Sequence, residues 1–185
     1  MRPLFFLESK SKKKYFCGCK MERKGLLWSH VERKGDWIMF FIGTYNHSLD
    51  EKNRVILPSK LRDKLCEKEK TTIYVTLGLD KCIAIYPAET FEAIASRLSK
   101  ASSLEGDNRG YKRTFFSNSY DINVDRQGRV PLSKELCEKC NVKREVVIIG
   151  VDDHVEIWDR ELYAAMSSQN DENYESYASR IHIED

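Results

Sequence analysis

Two pairs of oppositely charged residues stand at the same spacing, Asp50 with Arg54 and Asp125 with Arg129. A carboxylate followed four residues later by a guanidinium, across a polar tripeptide, suits a tight turn in which the Asp side chain caps turn amides. The tripeptides are Glu51-Lys52-Asn53 and Arg126-Gln127-Gly128. Asn53 and Gly128 occupy the position where a hairpin requires a residue that tolerates positive φ. Asp50, Asn53, Asp125 and Gly128 therefore read as turn-structuring residues, with each Asp bridging to its own Arg.

Other reactive residue types are poorly arranged for chemistry. The histidines His30, His47, His154 and His182 lie far apart and match no ligand spacing, so they read as surface or internally satisfied side chains. Cys137 and Cys140 have metal-ligand spacing, but Cys17, Cys19, Cys66 and Cys82 supply no second pair beside them. All six read as free, partly buried thiols, with no metal and no disulfide framework. There is no phosphate loop, Gly-x-Ser-x-Gly elbow, His-Glu-x-x-His or dinucleotide fingerprint. Nothing argues for an enzyme, a cofactor or a small-molecule substrate.

The elements that carry the two turns are themselves repeated. An alternating segment leads into each (Tyr45 to Leu49; Tyr120 to Val124), and an apolar run follows each Arg. This predicts strand, tight turn, strand in both places. The echo continues: Leu61 matches Leu136, and Tyr74–Tyr86 matches Val146–Trp158 at an offset of 72, aligning Gly78 with Gly150 and Asp80 with Asp152. An internal duplication follows. Each copy is expected to hold two hairpins separated by a short helix (Pro58 to about Glu67; Ser133 to about Cys140) and closed by an amphipathic helix. The first closing helix starts at Pro87, with Phe91, Ile94, Ala95 and Leu98 on one face. The second starts near Arg160, behind Asp159 as its N-cap.

These units divide the chain into residues 1–38, a non-native or disordered extension; 39–100, the first repeat; 101–116, a polar linker with a short helix near Tyr111 to Phe116; 117–168, the second repeat; and 169–185, a polar tail. Net charge is +2, from 31 Lys and Arg against 29 Asp and Glu. Residues 1–38 hold ten of the basic and four of the acidic residues, which leaves the repeats mildly acidic. Attraction to nucleic acid must then come from local clustering. Lys34-Gly35-Asp36 is encodable as the purine-rich AAA-GGA-GAT, placing a ribosome-binding sequence ahead of an expected start at Met39. No apolar run approaches a membrane span, and the expected compartment is a reducing cytoplasm.

The turns Asp50–Arg54 and Asp125–Arg129, with Leu57-Pro58, Gly78–Lys81, Val146–Gly150 and Glu156-Ile157-Trp158, closely resemble the MraZ family of bacterial transcriptional regulators, built of two SpoVT-AbrB repeats. The likeness covers Met39 to Asp185. Asn53 departs from the Gly common at that position in the family, and Pro131, which cannot donate to a ladder, is expected at a sheet edge or a strand end. The resemblance implies an α+β fold: a duplicated swapped-hairpin AbrB-like β-barrel with short helices, its repeats forming a pseudo-dimer within one chain. It also implies a ring-shaped homo-oligomer, associated with the nucleoid, that binds short direct repeats of double-stranded promoter DNA and represses the division and cell-wall gene cluster. On that reading Arg54 and Arg129 reach guanine edges, while Lys52 and Arg126 contact phosphates. Lys60, Arg62 and Lys134 read first as solvated helix faces. The alternative is an AbrB-type protein-interaction module such as an antitoxin; RNA binding is a remote third, because no exposed aromatic-plus-basic signature is present.

Overall fold

The computed structural model of the chain describes residues 30–33, 36–66, 71–125 and 127–181. Strands β1 (His30–Arg33) and β2 (Asp36–Met39) pair only with each other among the described residues. The first repeat then runs β3 (Phe41–Ser48), β4 (Arg54–Ile56), α1 (Ser59–Leu65), β5 (Thr72–Leu77), β6 (Ile83–Pro87) and α2 (Ala88–Lys100). Helix α3 (Gly106–Ser117) leads into the second repeat: β7 (Tyr120–Asn123), β8 (Arg129–Pro131), α4 (Lys134–Lys139), β9 (Glu145–Asp152), β10 (His154–Asp159) and α5 (Arg160–Ala178). The fold is α+β, with a mostly antiparallel sheet and short helices.

Six strands form an open sheet in the order β3-β9-β10-β6-β5-β7. Exchanging each strand for its counterpart in the other repeat reproduces the same order read backwards. At the centre Glu156 faces Ala84, flanked by Val155 opposite Ile85 and Ile157 opposite Ile83. A local two-fold axis therefore passes between β10 and β6. A separate two-stranded ribbon, β4 with β8, obeys the same symmetry: Val55 faces Val130 at its centre, Arg54 faces Pro131 and Ile56 faces Arg129. Pro131 ends its strand, where a missing N–H breaks no ladder.

The ribbon corrects the expectation that each Asp-Arg turn closes a hairpin between its own flanking strands. Strand β3 pairs with β9 and β4 with β8, so the first turn carries the chain from the sheet to the ribbon, and the second does the same from β7. Burial explains the choice. Val55 and Val130 are 0% exposed, seated over a core that includes Leu57, Leu61, Leu65, Ile73, Val75, Ile83, Ile85, Leu132, Leu136, Ile148, Val155 and Ile157. Burying each Val side chain contributes about 1.5–3 kcal/mol. Two three-residue strands reach that core together more easily than as separate hairpins.

A second correction concerns register. Leu77 pairs with Ile83, and Gly150 with Val155, so the counterpart of Gly150 is Leu77 and not Gly78. Strand β5 matches β9 at an offset of 73, which sets buried Ile73 and Val75 on Val146 and Ile148. At an offset of 72 every inward residue of β5 would correspond to an outward one of β9. The extra residue of the first repeat lies in the turn around the short 3-10 segment Leu79–Lys81.

The opposite face of the sheet carries α2, α3 and α5. Phe91 of α2 stacks on Tyr74 of β5 at 4.2 Å, and Phe115 of α3 lies 5.5 Å from Phe91. That packing carries α3 back to Gly106, past the expected start near Tyr111, through a sequence of poor helix propensity. Helix α5 is continuous across residues 168 and 169, and Asp159 caps it by accepting the Glu161 and Leu162 N–H groups at 3.0 and 3.4 Å. His154 is satisfied within the same face: its ring stacks on Tyr86, Nδ1 lies 2.8 Å from Asp153 and Nε2 3.3 Å from Glu156. Cys66, Cys82, Cys137 and Cys140 are free thiols, while Cys17 and Cys19 lie outside the described residues.

Candidate nucleic-acid interface

The Asp50 carboxylate organises the first turn. One oxygen, Oδ1, accepts the N–H groups of Lys52 and Arg54 at 2.8 and 2.9 Å; Oδ2 accepts Nε and Nη2 of Arg54, both at 2.7 Å. The main chain closes around it, with the Asn53 N–H donating to the Asp50 carbonyl and the Asp50 N–H to the Arg54 carbonyl. Asn53 takes φ 53°, the left-handed conformation that an Asn tolerates.

The second turn repeats the arrangement. Oδ1 of Asp125 accepts from Gln127 and Arg129 N–H, both at 2.9 Å, and Oδ2 accepts Arg129 Nε at 2.7 Å. Gly128 donates to the Asp125 carbonyl and takes φ 74°. In the first turn the Arg54 side-chain bond, then the Arg54 amide, pulls the Asp50 carboxyl down to about 2. In the second the Arg129 amide, then the Arg129 side chain, holds Asp125 below the ordinary carboxylate range.

Symmetry brings the two turns together. The Leu57 N–H donates to the Gly128 carbonyl and the Leu132 N–H to the Asn53 carbonyl, each at 2.9 Å. Each repeat thus braces the other's turn at the end of the ribbon. Because directly opposed residues of a strand pair project to one side, Arg54, Ile56, Arg129 and Pro131 share the ribbon's outer face, opposite the buried valines. Arg54 and Arg129 side chains are 31% and 33% exposed. Each carboxylate engages the Nε side of its guanidinium. The outer Nη groups have no further bonding partner among the described residues, which leaves planar donors of the kind that bind a base edge or a phosphate.

Lys52 lies exposed in the first turn. Arg126 lies outside the described residues. Lys60 is exposed, and Lys134 sits 3.7 Å from Glu138 on its own helix. Arg62 is the residue that sequence reasoning undervalued. It belongs to α1 of the first repeat yet packs on the second repeat's turn, its Cδ and Nη1 only 2.9 and 3.1 Å from where a Cβ on Gly128 would stand. Its Nε and Nη2 bond the neighbouring Asp63 at 3.2 and 3.1 Å, and its repeat counterpart is Cys137, which brings no guanidinium to the first turn. No signal local to the turns announces this contact, because it arises from the crossing of the repeats.

Among the described residues no group of three His, Cys, Asp or Glu side chains is placed to hold a metal. An open groove of about 450 Å³ between β3, β9 and α5, lined in part by Thr44, Asn46, Arg160 and Tyr163, is shallow and far from enclosed. The Asp-Arg turn is the arrangement that the duplication builds twice, each copy fixed by its own carboxylate.

Comparison with known proteins agrees with that duplication. The family profile of MraZ proteins, described as antitoxin-like, matches twice, over residues 40–114 and 115–182. The "Transcriptional regulator MraZ" of Clostridium tetani is 38% identical over 141 residues, covering 76% of this chain and 96% of that protein. Its namesake in Finegoldia magna is 37% identical over the same shares of both chains. In Mesoplasma florum the protein of that name is 33% identical over 144 residues, 78% of this chain and 97% of its own. Two tandem matches laid over two symmetry-related halves leave one assignment: this chain belongs to the MraZ family.

Proposed function

We propose that the protein is a transcriptional regulator that binds double-stranded DNA sequence-specifically through its paired Asp-x-x-x-Arg turns. The relatives are named as transcriptional regulators, a role without catalysis. The observation that carries the reading is the single outer face of the β4/β8 ribbon, on which both arginines are oriented by their own carboxylates. A two-stranded ribbon fits the major groove, and an Arg there can bond guanine O6 and N7 together, for roughly 1–3 kcal/mol of discrimination. Fixing the guanidinium in advance removes part of the entropy cost of binding. Lys52 and Arg126 take phosphates on this reading, while Asp50, Asn53, Asp125 and Gly128 shape the turns.

The interleaved ribbon and the palindromic strand order support the swapped-hairpin, pseudo-dimeric architecture of SpoVT-AbrB repeats. Among the described residues strand β3 has a strand partner on one side only, and Ile42, Tyr111, Phe116 and Val151 are exposed apolar groups available for assembly. A ring of subunits, each presenting its ribbon in the same sense, suits short direct repeats in the protein's own promoter, with repression of the division and cell-wall cluster as the outcome. The setting is the cytoplasm, at the nucleoid; no helix among the described residues is long and apolar enough to cross a membrane.

The family description favours one second reading, a protein-interaction module of the antitoxin kind. A titration of the protein against the duplex upstream of its own gene, at two salt concentrations, separates them. DNA binding gives a steep salt slope from released counterions, and Arg54→Ala with Arg129→Ala abolishes it in a folded protein. Equal binding by parent and double variant would remove the arginines from the interface.

A further inference from the structure

The ribbon's outer face carries two apolar residues between its arginines, and neither is needed by the core. Ile56 is 53% exposed, and Pro131 is exposed as well, while their neighbours Val55 and Val130 hold the ribbon to the sheet at 0%. Ile56 stands directly opposite Arg129, and Pro131 directly opposite Arg54. Opposed residues of an antiparallel pair have Cβ atoms roughly 4.5–5.5 Å apart, so their side chains can reach two base pairs stacked roughly 3.4 Å apart. A ligand lying along the outer face at Arg129 is therefore within reach of Ile56 too.

In the major groove the apolar feature beside a guanine's acceptors is the thymine C5-methyl, the group that distinguishes thymine at its base edge by packing and not by hydrogen bonding. Building on the DNA-binding reading above, we propose that Ile56 is a specificity-determining residue that packs on a thymine methyl next to the base pair contacted by Arg129. The local two-fold axis through Val55 and Val130 generates a second such pair, Arg54 with Pro131, pointing the opposite way. Proline's compact ring projects less than the branched isoleucine side chain, so the two halves of the reading head are unequal. That inequality gives a nearly two-fold ribbon a direction on DNA, as recognition of direct repeats demands.

The test is a binding titration of the full chain against the duplex upstream of its own gene and against the same duplex with every thymine replaced by deoxyuridine, which removes the methyls and keeps the pairing. The parent should bind the deoxyuridine duplex about fourfold more weakly for each methyl that Ile56 covers. Ile56→Ala should bind the thymine duplex more weakly by a similar factor and lose its preference between the two. Ile56→Thr, which keeps β-branching and strand propensity, guards against a folding artefact, and thermal unfolding of both variants checks it. No preference in the parent overturns the proposal, as does an unchanged preference in Ile56→Ala; in either case salt-dependent binding still upholds the DNA-binding reading. Absence of salt-dependent binding by the parent overturns both.

Discussion

The two turns share a motif and differ in what supports them. In the first, Asn53 takes the left-handed position, Arg54 places both Nε and Nη2 on its Asp, and the counterpart of Arg62 is a cysteine. In the second, Gly128 takes that position, Arg129 bonds through Nε, and Arg62 from the other repeat lies across the turn. The first turn is held mainly by its own side chains. The second depends on a glycine that leaves room for a neighbour. Duplication has preserved the geometry and let the means of holding it diverge.

Replacing Gly128 should separate the turns most sharply. A β-branched residue in the left-handed region costs roughly 1–3 kcal/mol, and here its Cβ would also press on Arg62. Gly128→Val should lower the unfolding midpoint by several degrees in a calorimetric scan. Gly128→Asn, which imports the first turn's residue, keeps the contact while relieving most of the backbone strain. Adding Arg62→Ala to Gly128→Asn should restore part of the lost stability. A double-variant cycle with no coupling would show that Arg62 is a bystander at the second turn.

The carboxylates offer a second contrast. Both Asp carboxyls titrate below their ordinary value of 3.8. A lowered folded-state pKa means a stabilising contribution that is present above the ordinary value and lost as pH falls, for Asp50 between about 4 and about 2. The largest cause at Asp50 is the Arg54 side chain; at Asp125 it is the Arg129 amide, which survives truncation. Carboxyl-carbon titration by NMR should therefore show Arg54→Ala returning Asp50 further toward 3.8 than Arg129→Ala returns Asp125. Equal recoveries would mean that the two turns hold their carboxylates alike.

What could be read in the sequence follows the same division between local and crossed interactions. The Asp caps, the left-handed positions at Asn53 and Gly128 and the Asp159 cap are encoded within a few residues, the duplication in an echo some 75 positions on, and the chain shows them. Partner strands were not legible. A tight turn between two apolar runs looks alike whether those runs pair with each other or with their symmetry mates, and only burial of Val55 against Val130 decides it. The displaced Gly78 has the same origin. Gly78 is identical to Gly150 and suggests one alignment, whereas Ile73 and Val75 carry the inward period that fixes the true register. Helix α3 starts earlier than its propensity suggests because Arg109 and Lys112 bond the preceding loop carbonyls, at Ser103, Leu104 and Ala101, and Phe115 docks on Phe91.

The smallest expected effect tests whether the divergence at the left-handed position matters at all. Asn53→Gly gives the first turn the second turn's residue. Two terms oppose each other: glycine relieves the modest strain at φ 53°, and it enlarges the conformational freedom of the unfolded chain. The Asn53 carbonyl that accepts the Leu132 N–H belongs to the main chain and survives the change. Chemical denaturation should place the variant within about 0.5 kcal/mol of the parent, with unchanged affinity for the promoter duplex. A clear loss would mean that the Asn side chain itself holds the first turn, and the reciprocal Gly128→Asn would then be limited by Arg62 alone. With no loss, Asn and Gly are interchangeable at Asn53, and what sets Gly128 apart is its φ of 74° together with the arginine that the other repeat lays across it.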